Sequence, residues 1–251
     1  MVLRRILKRA PEPASWTIPD GQRVYAVGDI HGRADLLGSL IEQIEADDRH
    51  RGPALTTIIF LGDLIDRGAD SRGVVERLMA LKAERPRVRI LLGNHEEVML
   101  KALAGDRQAL RMLIRIGGRS TLISYGIGEG EIDAGSFDDL GQRLEAAVPD
   151  THVKFLSGFE DHVRIGDYLF VHAGIRPGVA IERQRTSDLR WIRGDFLDHD
   201  GKHGLVVVHG HSVTEAVDER HNRIGIDTGA FASGRLTALG IEGASRWYLS
   251  T

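Results

Sequence analysis

The chain has 251 residues, with 33 Lys and Arg against 36 Asp and Glu, a formal net charge of −3, 30 glycines, 11 histidines and no cysteine. That length buries a sizeable core, in one large α/β domain or two small ones. The missing cysteine excludes disulfides, zinc–thiolate sites, iron–sulfur clusters and a thiol nucleophile, and the near-balanced charge argues against a dedicated polyanion binder.

The chain opens MVLRRILKRAPEP, in which Arg4, Arg5, Lys8 and Arg9 accompany no long apolar core, so it does not read as a secretory signal. Residues 1–21 are expected to be a flexible basic tail and 22–251 a single domain. No apolar run approaches the roughly 18 residues needed to cross a bilayer, so no membrane span is expected and a cytoplasmic protein is the default. Nucleic acid is not an expected partner, and the sequence leaves the oligomeric state open.

Val24–Val27 is a short apolar run ending at glycine, as a buried strand would. Asp35–Ala46 then places Leu36, Leu37, Leu40, Ile41 and Ile44 on one helical face. Thr56–Leu61 reads as a second strand, and Val74, Val75, Leu78 and Met79 mark a second helix that stops before Pro86. Val88–Leu92 is a third strand, followed by a helix carrying Val98, Met99 and Leu103. This alternation predicts an α/β fold with a parallel sheet and right-handed crossovers. The pattern changes over about 105–158. Leu110, Leu113 and Ile114 suggest one helix and Leu140, Leu144 and Val148 another, with a glycine-rich stretch between them. A helical cap-like insertion is expected there. Beyond it, His162–Ile165 and Tyr168–Val171 flank Gly166-Asp167, a two-residue hairpin turn. Leu205–Val208, Arg223–Ile226, Leu236–Ile241 and Arg246–Leu249 are further short strands, so the sheet is mixed or doubled.

Five strands run into glycine-flanked Asp, Asn or His residues: Gly28-Asp29-Ile30-His31-Gly32, Gly62-Asp63-Leu64-Ile65-Asp66-Arg67-Gly68, Gly93-Asn94-His95-Glu96, His172-Ala173-Gly174 and His209-Gly210-His211. In open α/β sheets ligands bind where loops converge at the carboxyl ends of strands, and glycine lets such loops turn tightly beside a ligand. Without thiolate, Asp, Asn and His are the donors that hold Mn, Fe or Zn, and paired cations of this kind cleave phosphate esters. Taken singly, each piece reads as a turn or a packed histidine; the joint occurrence of all five points to a dimetal site.

These motifs, GDIHG, GDLIDRG, GNHE, VHAG and HGH, resemble the phosphoprotein phosphatase branch of the calcineurin-like metallophosphoesterases. The likeness extends over roughly Val24 to Ile241 and is nearest to the bacterial and bacteriophage lambda-type serine/threonine phosphatases, which share WIR (Trp191–Arg193) and IDTGA (Ile226–Ala230). The resemblance implies an α/β/β/α sandwich with a helical cap insertion. It implies Asp29 and His31 on a first metal ion, Asp63 bridging to a second, and Asn94, His172 and His211 completing the second site, with His209 in support. It further implies His95 as general acid, oriented by Asp66, with Arg67 and Arg193 clamping the phosphoryl oxygens. The implied reaction is hydrolysis of a phosphomonoester, a phosphorylated protein or a small phosphoester, by in-line attack of a hydroxide bridging two divalent ions. Manganese is the expected metal, with iron and zinc as alternatives. The nearest rival is a symmetrical dinucleoside tetraphosphate hydrolase; such enzymes tend to carry GNHD, so Glu96 favours the protein phosphatase. Val213, where nucleases and phosphodiesterases of the wider superfamily have a further histidine, weighs against those, and the full set of motif residues weighs against a non-catalytic module.

Overall fold

The computed structural model describes residues 16–251, and residues 1–15, with most of the expected basic tail, lie outside them. Packing begins ahead of Gln22: Ile18 is buried, and Thr17 N donates to Asp167 Oδ2 at 2.9 Å. Three strands come first, β1 (Gln22–Val27), β2 (Leu55–Phe60) and β3 (Val88–Ile90), separated by helices α1 (Ala34–His50) and α2 (Ser71–Glu84) and followed by α3 (Asn94–Leu103). The hairpin β4 (His162–Ile165) and β5 (Tyr168–Val171) has the expected turn at Gly166-Asp167. β6 (Val206–His209), β7 (Asp218–Glu219), β8 (Arg223–Gly225), β9 (Thr237–Glu242) and β10 (Ser245–Ser250) close the chain. Sequence reading misses the two-residue β7, which is too short to carry a period.

The strands form two mixed five-stranded sheets, ordered β10-β9-β1-β2-β3 and β4-β5-β6-β8-β7. β1, β2 and β3 are parallel neighbours, as are β5, β6 and β8. Alternation along each strand sorts side chains between layers. Val24 and Ala26 of β1, Ile59 of β2, Phe170 of β5 and Val206 and Val208 of β6 meet between the sheets. Tyr25 and Val27 point the other way, into a cluster with Leu37, Leu40, Leu78 and Met99 of α1–α3. Leu169, Val171 and Val207 pack beneath the short helices Thr186–Trp191 and Gly194–Leu197, through Leu189 and Phe196. The layers are helix, sheet, sheet, helix.

The insertion holds more helix than its apolar pattern suggests. Helices span Arg107–Leu113, Arg119–Ser124, Glu129–Ala134, Phe137–Ala147 and Asp150–Ser157, with a π turn over Ile114–Gly118. Gly117, at φ +116°, breaks the helical periodicity there, which is why the sequence reads as an interrupted, glycine-rich stretch. Leu110, Leu113, Leu122, Leu140 and Leu144 join the core cluster of α1–α3, so the insertion shares that core.

Phe170 is fully buried between the sheets. Phe170→Ala should lower unfolding free energy by about 3–5 kcal/mol, the cost of the lost burial and the residual cavity. Urea denaturation followed by circular dichroism measures it; a loss below 1 kcal/mol would contradict the two-sheet packing.

Candidate metal centre

The carboxyl ends of β1, β2, β3, β5 and β6 lie together, and their loops bring the motif residues into one buried cluster. Asp29, His31, Asp63, Asp66, Asn94, His95, His172 and His211 are all buried. Donor atoms of His31, Asp63 and His95 lie within 4.8 Å of one another, as do those of Asp63, His172 and His211. Asp63 belongs to both groups. Asn94 Oδ1 is 3.0 Å from His172 Nε2, which is itself 3.4 Å from Asp63 Oδ1. Asp29 sits beside them, its Oδ2 accepting from His211 N at 2.9 Å.

The imidazoles are oriented from behind. His31 Nδ1 is 2.8 Å from the carbonyl of Ile65 and His172 Nδ1 is 2.8 Å from that of Leu61. A ring nitrogen facing a carbonyl must carry the proton, so Nε2 presents its lone pair inward. His211 Nε2 and Asp29 Oδ1 are buried with no hydrogen-bond partner. Unpartnered lone pairs of this kind, converging on a shared carboxylate, are a donor set suited to cations.

Charge follows the same geometry. Burial alone would raise the Asp63 carboxyl, but the surrounding histidines, His172 foremost, hold it well below the ordinary carboxylate range. Burial pushes His31 down to about 3, only partly opposed by Asp63, and likewise lowers His211. For His95 burial is outweighed by Asp63 and by Asp66, whose Oδ2 lies 2.6 Å from His95 Nδ1, so that this imidazole is raised.

The two histidines of HGH separate by backbone twist. His209 continues the β6 alternation with Val207 and packs edge-on against Phe196 of the outer layer, at 5.1 Å between centroids. A regular strand would send His211 the same way, but its φ of +64° turns it toward His172, 5.0 Å away. Among the described residues, the non-glycine positions at positive φ are His31, Asp63, Asp66, Arg67 and His211, every one a motif residue. L-residues seldom adopt this region, and such strain persists where surrounding contacts over-determine it.

Several of those contacts are illegible in the sequence. Glu96 is fully buried beneath the centre and accepts from the backbone amides of Leu64 (2.8 Å) and Asp63 (2.9 Å), and also from Gly93 and Ile65. A Cβ on Gly93 would lie 2.2 Å from Asp63 Oδ1, so only glycine permits this approach. Thr121, from the insertion, donates to Asp66 Oδ1 at 2.5 Å and accepts from Asp66 N at 2.9 Å. Arg67 N donates to Gly117 O at 3.0 Å, and the Arg67 guanidinium lies 4.7 Å above the Phe231 ring, close to Nε2 of His31 and of His95. Arg193 lies at the rim, with Nη2 3.3 Å from His211 O. Its neighbour Arg190 is committed to Asp161 at 2.5 Å.

Residues 22–229 match the calcineurin-like phosphoesterase family. The chain belongs to that family. It is a metallophosphoesterase, with His and Asp clusters placed for a metal centre. A protein of Ralstonia nicotianae named symmetrical bis(5'-nucleosyl)-tetraphosphatase is 29% identical over 177 residues, 70% of this chain and 46% of that protein. One of Acidovorax sp. with the same name is 32% identical over 154 residues, 61% of this chain and 44% of that protein. The chain thus spans less than half the length of these relatives. Among solved structures, a candidate diadenosine tetraphosphatase is similar with TM-score 0.63 and 23% identity over 92% of this chain and 94% of that one. A serine/threonine phosphatase of Saccharomyces cerevisiae is similar with TM-score 0.54 and 14% identity over 92% and 79%. Both share the fold. No helix among the described residues is long and apolar enough to cross a membrane.

Glu96→Gln would set an amide NH2 against backbone donors that now meet a carboxylate oxygen. The variant should lose about 2 kcal/mol or more of stability, since each buried amide left without its acceptor costs about 1–3 kcal/mol. A chemical denaturation midpoint equal to that of the unsubstituted protein would contradict this bracket.

Proposed function

We propose that this metallophosphoesterase hydrolyses the phosphoanhydride chain of a dinucleoside tetraphosphate. The observation that carries the reading is the recurrence of that activity in the names of relatives about 30% identical over well over half of this chain. Glu96, whose GNHE context favours a serine/threonine phosphatase on sequence, is buried under the site on backbone amides, and the names of the relatives outweigh it.

In this reading Asp29, His31 and Asp63 would hold one divalent cation, and Asp63, Asn94, His172 and His211 would hold a second. An oxygen and nitrogen donor set admits manganese, iron or zinc. When bound, such a pair brings the pKa of water toward neutrality and withdraws charge from phosphoryl oxygens.

The remaining work belongs to the chain. His95 shares space with His31 and Asp63, but its Nδ1 is committed to the Asp66 carboxyl at 2.6 Å, where His31 and His172 have a carbonyl behind the ring. A carboxylate behind an imidazole favours its protonated form, so His95 acts as the acid, delivering a proton from Nε2 to the departing oxygen. Asp66, fixed by Thr121, orients it. Arg67, beside His95, and Arg193, beside His211, clamp phosphoryl oxygens, where a planar guanidinium matches phosphate geometry. No phosphoenzyme forms.

Two outcomes are expected. His95→Asn should slow hydrolysis of an alkyl phosphate at least tenfold more than that of nitrophenyl phosphate, because only the alkoxide needs a proton to leave. Equal losses on both substrates, compared by kcat, would remove His95 from the acid role. Diadenosine tetraphosphate should be split into two molecules of ADP with a kcat/KM at least tenfold above that for a phosphoserine peptide, read by chromatography of the products. Glu96→Asp should leave that ratio within twofold. A higher kcat/KM on the peptide would return the assignment to a protein phosphatase.

A further inference from the structure

Asp227, in the loop after β8, lies outside the ligand set that the motifs supply. It is 1% exposed. Its Oδ1 accepts from Gly229 N at 3.0 Å, while Oδ2 has no partner. Asp29 mirrors it: 2% exposed, with Oδ2 bonded to His211 N and Oδ1 unpartnered. The two residues stand on segments that meet at Gly28.

The juxtaposition is built into the backbone. A Cβ on Gly28 would come within 2.5 Å of Ile226 O and 3.6 Å of Asp227 Cα, so the end of β1 and the 226–227 segment are in contact because residue 28 has no side chain. That segment is pinned on both sides, by Ile226 N donating to His209 O at 3.0 Å and by Thr214 N donating to Asp227 O at 3.0 Å. Asp227 therefore has little freedom to move away from Asp29.

Two buried carboxylates, each with an orphan oxygen, require a proton or a cation between them. We propose that Asp227 is a further carboxylate of the first cation's site, joining Asp29, His31 and Asp63. This rests on the dimetal reading above. With Asp29 and Asp63 alone, two divalent cations would face two negative charges; Asp227 supplies a third and so favours retention of the metal.

Asparagine separates the two possibilities, because it keeps the acceptor for Gly229 N and mimics a protonated acid. Full-length protein freed of metal by a chelator is titrated with MnCl2 by calorimetry, for the unsubstituted chain, Asp227→Asn and Asp227→Glu. Bound metal is counted after gel filtration, and melting temperatures are taken without metal. The unsubstituted chain should take up two equivalents. In Asp227→Asn one of them should weaken tenfold or more with the other unchanged, and the metal-free variant should melt no lower than the parent. Asp227→Glu should recover part of the affinity. If Asp227→Asn binds both equivalents within twofold of the parent, the pair only shares a proton and the proposal fails. Loss of affinity equally in the Asn and Glu variants, with lowered melting in both, would make Asp227 a packing residue and also overturn it. Failure of the unsubstituted chain to bind manganese, iron or zinc would overturn the dimetal reading itself.

Discussion

Asp63 is an ionised carboxylate taken almost wholly out of water, and the arrangement around it is what such a charge demands. An unpaired buried anion would protonate or force the site open. Here His31, His95 and His172 face its two oxygens, and the first turn of α3 offers it the His95 amide at 3.1 Å. The positive end of the helix thus bears on the same carboxylate. Its loop is in turn held by Glu96, a second buried acid, pushed up to about 7 by burial and by Asp63, whose two oxygens accept from four backbone amides. Removing Glu96 leaves the amides of Asp63, Leu64, Ile65 and Gly93 without their acceptor, so this side chain ties the loops of β2 and β3 into one unit.

That unit is what allows five side chains to sit in left-handed backbone. Each such residue costs of the order of 1–3 kcal/mol unless its surroundings fix it. His31 is fixed by its amide on Asp63 O at 2.9 Å, Asp66 by Thr121 and Ser71, and Arg67 by Gly117 O. Four of the five are Asp or His, which tolerate this region better than most. Arg67 is the exception, and it is also the one tethered to the insertion. The strain aims side chains at one point that a regular strand end would scatter over two faces, as His209 and His211 illustrate.

The layers and the motif residues were legible in the sequence because each donor stands at or just past the end of an apolar run, with a glycine next to it or, for His172, two residues on, a purely local pattern. The sandwich order was legible through the family resemblance. Three things were not, for a common reason. Thr121 is 55 residues from Asp66, Phe231 carries no motif of its own, and the orphan oxygen of Asp227 depends on two loops meeting across Gly28. These are contacts between segments distant in the chain, and neither periodicity nor spacing encodes them. Glu96 shows the converse hazard: its position in GNHE was readable, yet its direction was not, and a residue facing inward on backbone amides had been credited with choosing the substrate. The insertion was under-read because Gly117 and Gly118 interrupt the helical period at the place where the chain turns to meet Arg67.

The distribution of these supports divides the site into two mechanical parts. The proposed cation donors hang from the ends of the sheets: their partners are the Leu61 and Ile65 carbonyls of the loop after β2, the α3 terminus and one another. The proposed acid pair and phosphate clamp hang from the insertion, because Asp66 and Arg67, adjacent in sequence, are gripped by Thr121 and Gly117 within one short stretch of it. A shift of that stretch moves the acid's orienting carboxylate and the guanidinium together, while the Leu61 and Glu96 contacts of the proposed cation donors are made outside it. The insertion is therefore coupled most directly to proton delivery and substrate grip, and reaches the proposed cation donors chiefly through Arg67 beside His31. Sequence change there can retune which phosphate ester or anhydride is cleaved without dismantling the centre that cleaves it.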